Sequence, residues 1–275
     1  MSNRQAGWWL ATPAIVVVVL FLIVPVASTI GTTLADPKGI WAPYVAFFSS
    51  GFRRNVLWRT LEVSLATTAI SLVVGFLTAY VVARTSGRIK SLLIIAAVFP
   101  LLTGVVVRSF AWLIILGKNG ILNSTLMWLG LTAEPFAMLY TEGAVIVAMV
   151  YLFVPLMILT LVGVLENIPD DLIQASSSLG ASPGATFRQV ILPLAVPGLI
   201  VGAVLVFTGS FTSYATPQLV GGERQMMMGT LMYQRAMVAF DWVGASTIAT
   251  IMVVLTISIV LVMSRVARRL NPMAT

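Results

Sequence analysis

Charged residues interrupt this chain so rarely that the intervals between them define its elements. Arg4 to Asp36 encloses 31 uncharged residues, Glu62 to Arg84 encloses 21, and Lys90 to Arg108 encloses 17, with nine more before Lys118. Glu142 to Glu166 encloses 23, Arg188 to Glu223 encloses 34, and Asp241 to Arg265 encloses 23. About 20 apolar residues cross a bilayer core as a helix, because backbone polar groups there must be satisfied within the segment. The pattern predicts six spanning helices, at about 8–33, 57–83, 91–116, 141–165, 193–214 and 244–264. None of these runs alternates as a barrel strand does. The expected fold is an all-α integral membrane protein, one domain over residues 1–275.

The first run has a competing reading as a signal sequence. It is longer than a signal's apolar core, and Pro25-Val26-Ala27-Ser28 is a poor cleavage site, which favours a retained helix.

Composition sharpens the picture. Apolar residues are 59% of the chain and charged residues 9%, against about 25% charged in a soluble domain. So few charges cannot cover a water-facing surface. Cys and His are both absent, which excludes disulfides, thiolate or imidazole metal sites and histidine-based catalysis. The formal charge of +7 has the sign of a nucleic-acid binder. In a membrane chain it reads instead as topology and contact with anionic lipid, with no nucleic-acid partner.

Six spans place both termini on one side. Arg84, Arg88 and Lys90 crowd one short loop, and Arg265, Arg268 and Arg269 follow the last span. Dense basic clusters at span ends read as cytoplasmic. The opposite loops, about 34–56, 117–140 and 215–243, carry scattered Lys38, Arg53, Arg54, Lys118, Arg224 and Arg235. Trp8 and Trp9 on the inside, and Trp41, Trp58 and Trp242 on the outside, suit interfacial anchors.

One connection does not look like a plain loop. In the 166–192 segment, Pro169 with Asp170 and Asp171 forms a helix start, and Gly180 suits a left-handed helix stop. Ser182-Pro183 then supplies a second cap and first-turn proline. Leu172, Ala175, Ser176 and Leu179 fall on one mildly apolar face. Two short helices joined by a glycine turn are expected. Physics alone leaves open whether they merely connect two spans.

The residues themselves carry a resemblance. Gln174-Ala175-Ser176, three residues, Gly180, nine residues and Val190-Ile191-Leu192-Pro193 resemble the EAA signature of ABC-importer permeases, the inner-membrane components of binding-protein-dependent transport systems. Gln174, Ser176 and Val190 stand where that pattern has Glu, Ala and Ile. More of the chain is similar to the spermidine/putrescine branch. Phe99-Pro100-Leu101-Leu102, Val107-Arg108-Ser109-Phe110-Ala111-Trp112 and Leu116-Gly117-Lys118-Asn119-Gly120 belong to that likeness. So do Phe211-Thr212-Ser213-Tyr214-Ala215-Thr216-Pro217 and Asp241-Trp242.

The resemblance implies the type I importer fold, with 166–192 as the coupling helix that docks on an ATPase. Asp171, Leu172, Gln174, Ala175, Ser176, Leu179, Gly180, Ala181 and Ser182 are then the coupling residues. It implies two ATPase subunits carrying ATP and Mg2+, a second homologous permease, and a periplasmic or extracellular solute-binding protein. The site is the bacterial inner membrane. This chain has no phosphate loop, since Gly117-Lys118 is followed by Asn119. It also lacks a mid-membrane acid or His relay. No cofactor and no enzymatic activity of its own are therefore expected. The rivals are an ion-coupled transporter, which predicts transport by this chain alone, and a membrane scaffold, which does not need the hairpin.

For a polyamine-like solute, acids and aromatics suit the cation. Glu62, Tyr80, Trp112, Phe211 and Tyr214 are the available candidates. Arg108 either steers an anionic group or pairs with Glu62, the pair being favoured. Thr216 to Glu223 is either a gate element or a capping loop. Gly75, Gly104, Gly163, Gly202 and Gly209 suit close helix approach more than gating.

Overall fold

The structure is a computed structural model describing residues 12–13, 16–34, 37 and 39–270, with the backbone alone at 266–270. The start of the first predicted span, Arg4, Trp8, Trp9, Asp36 and Lys38 lie outside the described residues, as do the side chains of Arg268 and Arg269. The described residues are helices joined by short connections. In chain order they are α1 (Val16–Leu34), α2 (Ala42–Ser49), α3 (Gly51–Arg84), α4 (Gly87–Leu102), α5 (Val105–Leu116) and α6 (Ile121–Trp128). There follow α7 (Glu142–Glu166), α8 (Asp170–Ser178), α9 (Pro183–Thr212), α10 (Met228–Tyr233) and α11 (Trp242–Leu270). Among the described residues six segments are long and apolar enough to cross a membrane: α1, α3, Val105–Trp128, α7, α9 and the Trp242–Arg265 part of α11.

The third predicted span is corrected. Instead of one helix over 91–116, α4 and α5 are separated by an extended Thr103-Gly104 step, with ψ of 134° and 141°. Pro100 has no amide hydrogen to extend the ladder. The chain ends the helix two residues later. Arg108 then reaches back from α5, its Nη1 donating to Pro100 O at 2.8 Å and Thr103 O at 3.3 Å. Thr103 Oγ1 also donates to Pro100 O, at 2.8 Å. Carbonyls orphaned at a helix end are thereby satisfied within the chain.

The second correction is at 183–192. The predicted second short helix is the beginning of α9, which runs on past Pro193. A π turn at Phe187–Ile191 lies just ahead of that proline. Widening one turn accommodates a ring that would otherwise crowd the preceding carbonyl.

The described residues form two compact units. One comprises the described part of Met1–Asn55 together with Leu231–Val254, and the other Val56–Thr230 with the remainder of α11. In the first, Thr33 Oγ1 lies 2.8 Å from Tyr44 Oη, and Phe47 is fully buried. Asp241 accepts from the Gly244 amide at 2.8 Å, closing the start of α11, and pairs with Arg235 at 3.2 Å.

In the larger unit α7 is the central helix, with α4 and α9 both packed against it. Close approach is made by small residues. A Cβ at Gly75 would lie 2.5 Å from Met157 Cγ, and one at Gly202 would strike the Met157 sulfur. Met157 is fully buried, a wedge between α3 and α9. Gly209 faces Phe153 as closely, whereas Gly104 and Gly163 have nothing within 4 Å of a would-be Cβ. Those two glycines do not serve helix contact within this chain. Gly75→Leu is expected to lower the melting temperature in detergent, overpacking of this kind destabilising by about 1–3 kcal/mol. Combining it with Met157→Ala should recover part of that loss. An unchanged melting temperature for Gly75→Leu alone would contradict the wedge.

Candidate functional site

The hairpin between α7 and α9 is built from local signals. After Glu166 the chain turns: the Asn167 amide bonds Val164 O at 3.2 Å, and Asn167 Nδ2 donates to Gly163 O at 2.7 Å. Ile168 is buried in the core beside Phe76, Ala79, Val82 and Leu165. Pro169, with φ −60° and ψ 133°, is the residue before α8 rather than its first, and Asp170 and Asp171 occupy the first turn. Their charge complements the free amides there.

The end of α8 is a Schellman closure. The Gly180 amide bonds Ser177 O at 3.0 Å and the Ala181 amide bonds Ser176 O at 3.1 Å, with Gly180 at φ +80°. Ser182 accepts from the Ala185 amide at 3.3 Å and opens α9. Ser176 Oγ lies 2.9 Å from Thr186 Oγ1 and ties the two arms together. The hydroxyl that departs from the expected alanine therefore has a partner of its own.

What the hairpin leaves uncovered is its tip. No residue of α8 is buried. Leu179 is 88% exposed and Leu172 44%. Asp171, Gln174, Ala175, Gly180 and Ser182 are exposed, and Ser176 and Ala181 are half-buried.

The footing of the hairpin is charged and aromatic. Arg84 Nη1 lies 3.1 Å from Asp170 Oδ1, and Lys90 Nζ lies 3.0 Å from Glu166 Oε1. The Arg84 guanidinium also sits 5.7 Å from the centroid of the Tyr80 ring. Tyr80 meets Phe187 edge-on at 5.9 Å, and Phe187 meets Phe76 edge-on at 5.6 Å.

The remaining sequence candidates separate. Tyr80 lies at this footing, half-buried against Arg84 and Phe187. Phe211 is fully buried and stacked on Phe207 at 5.6 Å, a core residue of this chain. Arg108 is 5% exposed and serves the α4–α5 break. The expected pairing of Arg108 with Glu62 is not found: the ion pairs among the described residues are the two at the footing and Arg235–Asp241. Glu62 and Tyr214 are exposed. Trp112 is half-buried, edge-on to Tyr151 at 5.6 Å. Thr216 and Val220 are buried, and the Tyr140 amide bonds Val220 O at 3.1 Å. Trp41, Trp58 and Trp242 are exposed.

A family model described as binding-protein-dependent transport system inner membrane component matches residues 8–273. The chain belongs to that family. It is thus a permease component of an ABC importer and a multi-pass inner-membrane protein. This permease is 30% identical over 261 residues to the spermidine/putrescine transport system permease protein PotB of Escherichia coli, covering 92% of this chain and 94% of that one. It is 36% identical over 181 residues to the inner membrane ABC transporter permease protein YdcU of the same organism, covering 61% and 57%. Among solved structures, a bacterial alginate ABC transporter in complex with an alginate pentasaccharide-bound periplasmic protein superimposes with a TM-score of 0.83 at 16% identity. That match covers 98% of this chain and 96% of the other.

Residues the sequence reading passed over are those of the permease's hairpin footing. In the sequence Arg84 and Lys90 mark a basic loop, Glu166 a span boundary and Asp170 a helix start, and no spacing rule pairs them. Tyr80 and Arg84, one helical turn apart, carried a signal of shared face that spacing alone makes readable.

Proposed function

We propose that this permease forms half of the translocation pathway of an ATP-driven importer for a small organic solute, polyamine-like in charge. The single observation that carries the reading is the bare Leu179-Gly180 tip on a hairpin whose base is firmly footed. Such a tip suits docking in the groove of an ATPase subunit, whose closure on ATP and Mg2+ moves the gate. The kinship with PotB supports the solute class. Glu62, Trp112 and Tyr214 remain the residues suited to meet a cation, as acid and aromatic groups. The partners are two ATPase subunits, a second homologous permease and a periplasmic or extracellular binding protein. The whole chain acts as one permease domain, 1–275, with its termini, 84–90 and 166–192 on the cytoplasmic side. Basic clusters beside the spans support that orientation.

The test is reconstitution of the permease pair with binding protein, with and without the ATPase. Spermidine uptake is expected only with the ATPase and ATP. A cysteine replacing Ser177 in this Cys-free chain should be labelled by an impermeant reagent only from the ATPase side. Stable uptake without any ATPase, or labelling from the binding-protein side, would refute the proposal.

A further inference from the structure

We infer that Arg84 and Lys90 are positioning residues for energy coupling, each holding one flank of the elbow between α7 and α8 so that hairpin movement is delivered to α3 and α4. This rests on the coupling reading above and adds which residues carry the motion onward.

The elbow is three residues, Asn167-Ile168-Pro169, between the last residue of α7 and the first of α8. Left alone, it is a swivel: a tilt of α8 would be absorbed by a few backbone torsions. Two ion pairs bracket it. Lys90, in the first turn of α4, grips Glu166 on the α7 side at 3.0 Å. Arg84, the last residue of α3, grips Asp170 on the α8 side at 3.1 Å. Between them is a polar cleft of about 420 Å³, floored by the buried Ile168. Arg84 has a second hold, the face of Tyr80, whose ring bears on Phe187 at the start of α9.

Pairs this exposed add little to global stability, because solvent screens them. The fold is already held by the apolar core around Ile168. The two pairs therefore do not serve to keep the chain folded. Their placement on both flanks of a short swivel serves direction. Arg84 joins the first turn of α8 to the end of α3, and Lys90 joins the end of α7 to the first turn of α4, so the elbow is held from both sides. The α4 end of this linkage leads to the Thr103-Gly104 break.

The experiment reverses one pair in the complete assembly reconstituted in proteoliposomes. Glu166→Lys puts a cation at the end of α7, and Lys90→Glu puts an anion in the first turn of α4. Both placements are favoured by the helix dipole, so a purely local role predicts that neither variant is impaired. We expect each single reversal to lower spermidine imported per ATP hydrolysed by about fivefold, with the ATPase still co-purifying. The double reversal is expected to return within about twofold of wild type. A wild-type ratio in the single reversals, or a double no better than the singles, overturns the inference. Gly180→Asp is run beside them. If it uncouples while the reversals do not, the ion-pair inference alone falls; if it too is silent, the coupling reading falls as well.

Discussion

Gly180→Asp is expected to leave a permease that inserts and folds but imports no solute and no longer retains its ATPase. The backbone there has φ +80°, yet a Cβ would meet nothing within 4 Å in this chain. The intrachain penalty is thus torsional, about 1 kcal/mol, and aspartate is among the residues that tolerate the left-handed region best. The large effect arises outside the chain. With the tip docked as proposed, a carboxylate beside Leu179 would be buried, unpaired, in the groove, and such burial is heavily penalised. Gly180→Asn, with the same shape and no charge, separates the two contributions. Changes at Ser177 or Ser178, both exposed one turn away, should be mild. Pull-down of the ATPase and uptake in vesicles measure both outcomes. Wild-type uptake with the ATPase attached would reduce the hairpin to a connector.

The hairpin was legible because its signals are local. Proline and acids at the start of α8, a glycine at its end and Ser-Pro at the next start each act over one turn of backbone. Five of the six spans were legible for a similar reason, since length and lack of charge suffice there, and the third was not. Placement of side chains around a span was not. In α7 and α9 nearly every position is apolar, so no period separates the inward face from the outward one. Phe211 therefore looked as available to a solute as Tyr214, although it is stacked inside the chain on Phe207. The break after Leu102 was announced by Pro100 and Gly104. Whether those residues bend, break or merely thin a helix depends on a donor that reaches the freed carbonyls. In the sequence that donor, Arg108, is only a charge, open to an anionic group or to an acid such as Glu62.

The second large effect follows from that donor. Arg108→Leu is expected to destabilise the permease by about 1–3 kcal/mol, because Thr103 O loses its buried charged donor and Pro100 O keeps only Thr103 Oγ1. Thermal unfolding in detergent and yield of monodisperse protein report it. Arg108→Lys should recover only part, since an ammonium is more strongly hydrated than a guanidinium and is harder to bury at this site. The result also decides between roles. A variant with wild-type stability but no uptake would return Arg108 to the solute's path. A destabilised variant whose remaining folded fraction transports normally would make it wholly architectural.

The unbroken course of α9 has a mechanical consequence. Thirty residues from Pro183 to Thr212, at about 1.5 Å each, make a rod about 45 Å long. Its near end is the second arm of the hairpin, stitched to α8 through Ser176 and Thr186. Its far end carries Ser213 and Tyr214. A loop at 183–192 would have damped any push on the hairpin before it entered the membrane. A rod does not: with a pivot at the Met157 wedge beside Gly202, tilting the near end by about 5° swings the far end by about 1 Å in the opposite sense. The π turn at Phe187–Ile191 is the compliant joint near the handle of this lever. Stiffening or softening that one turn would set how much of the stroke arrives.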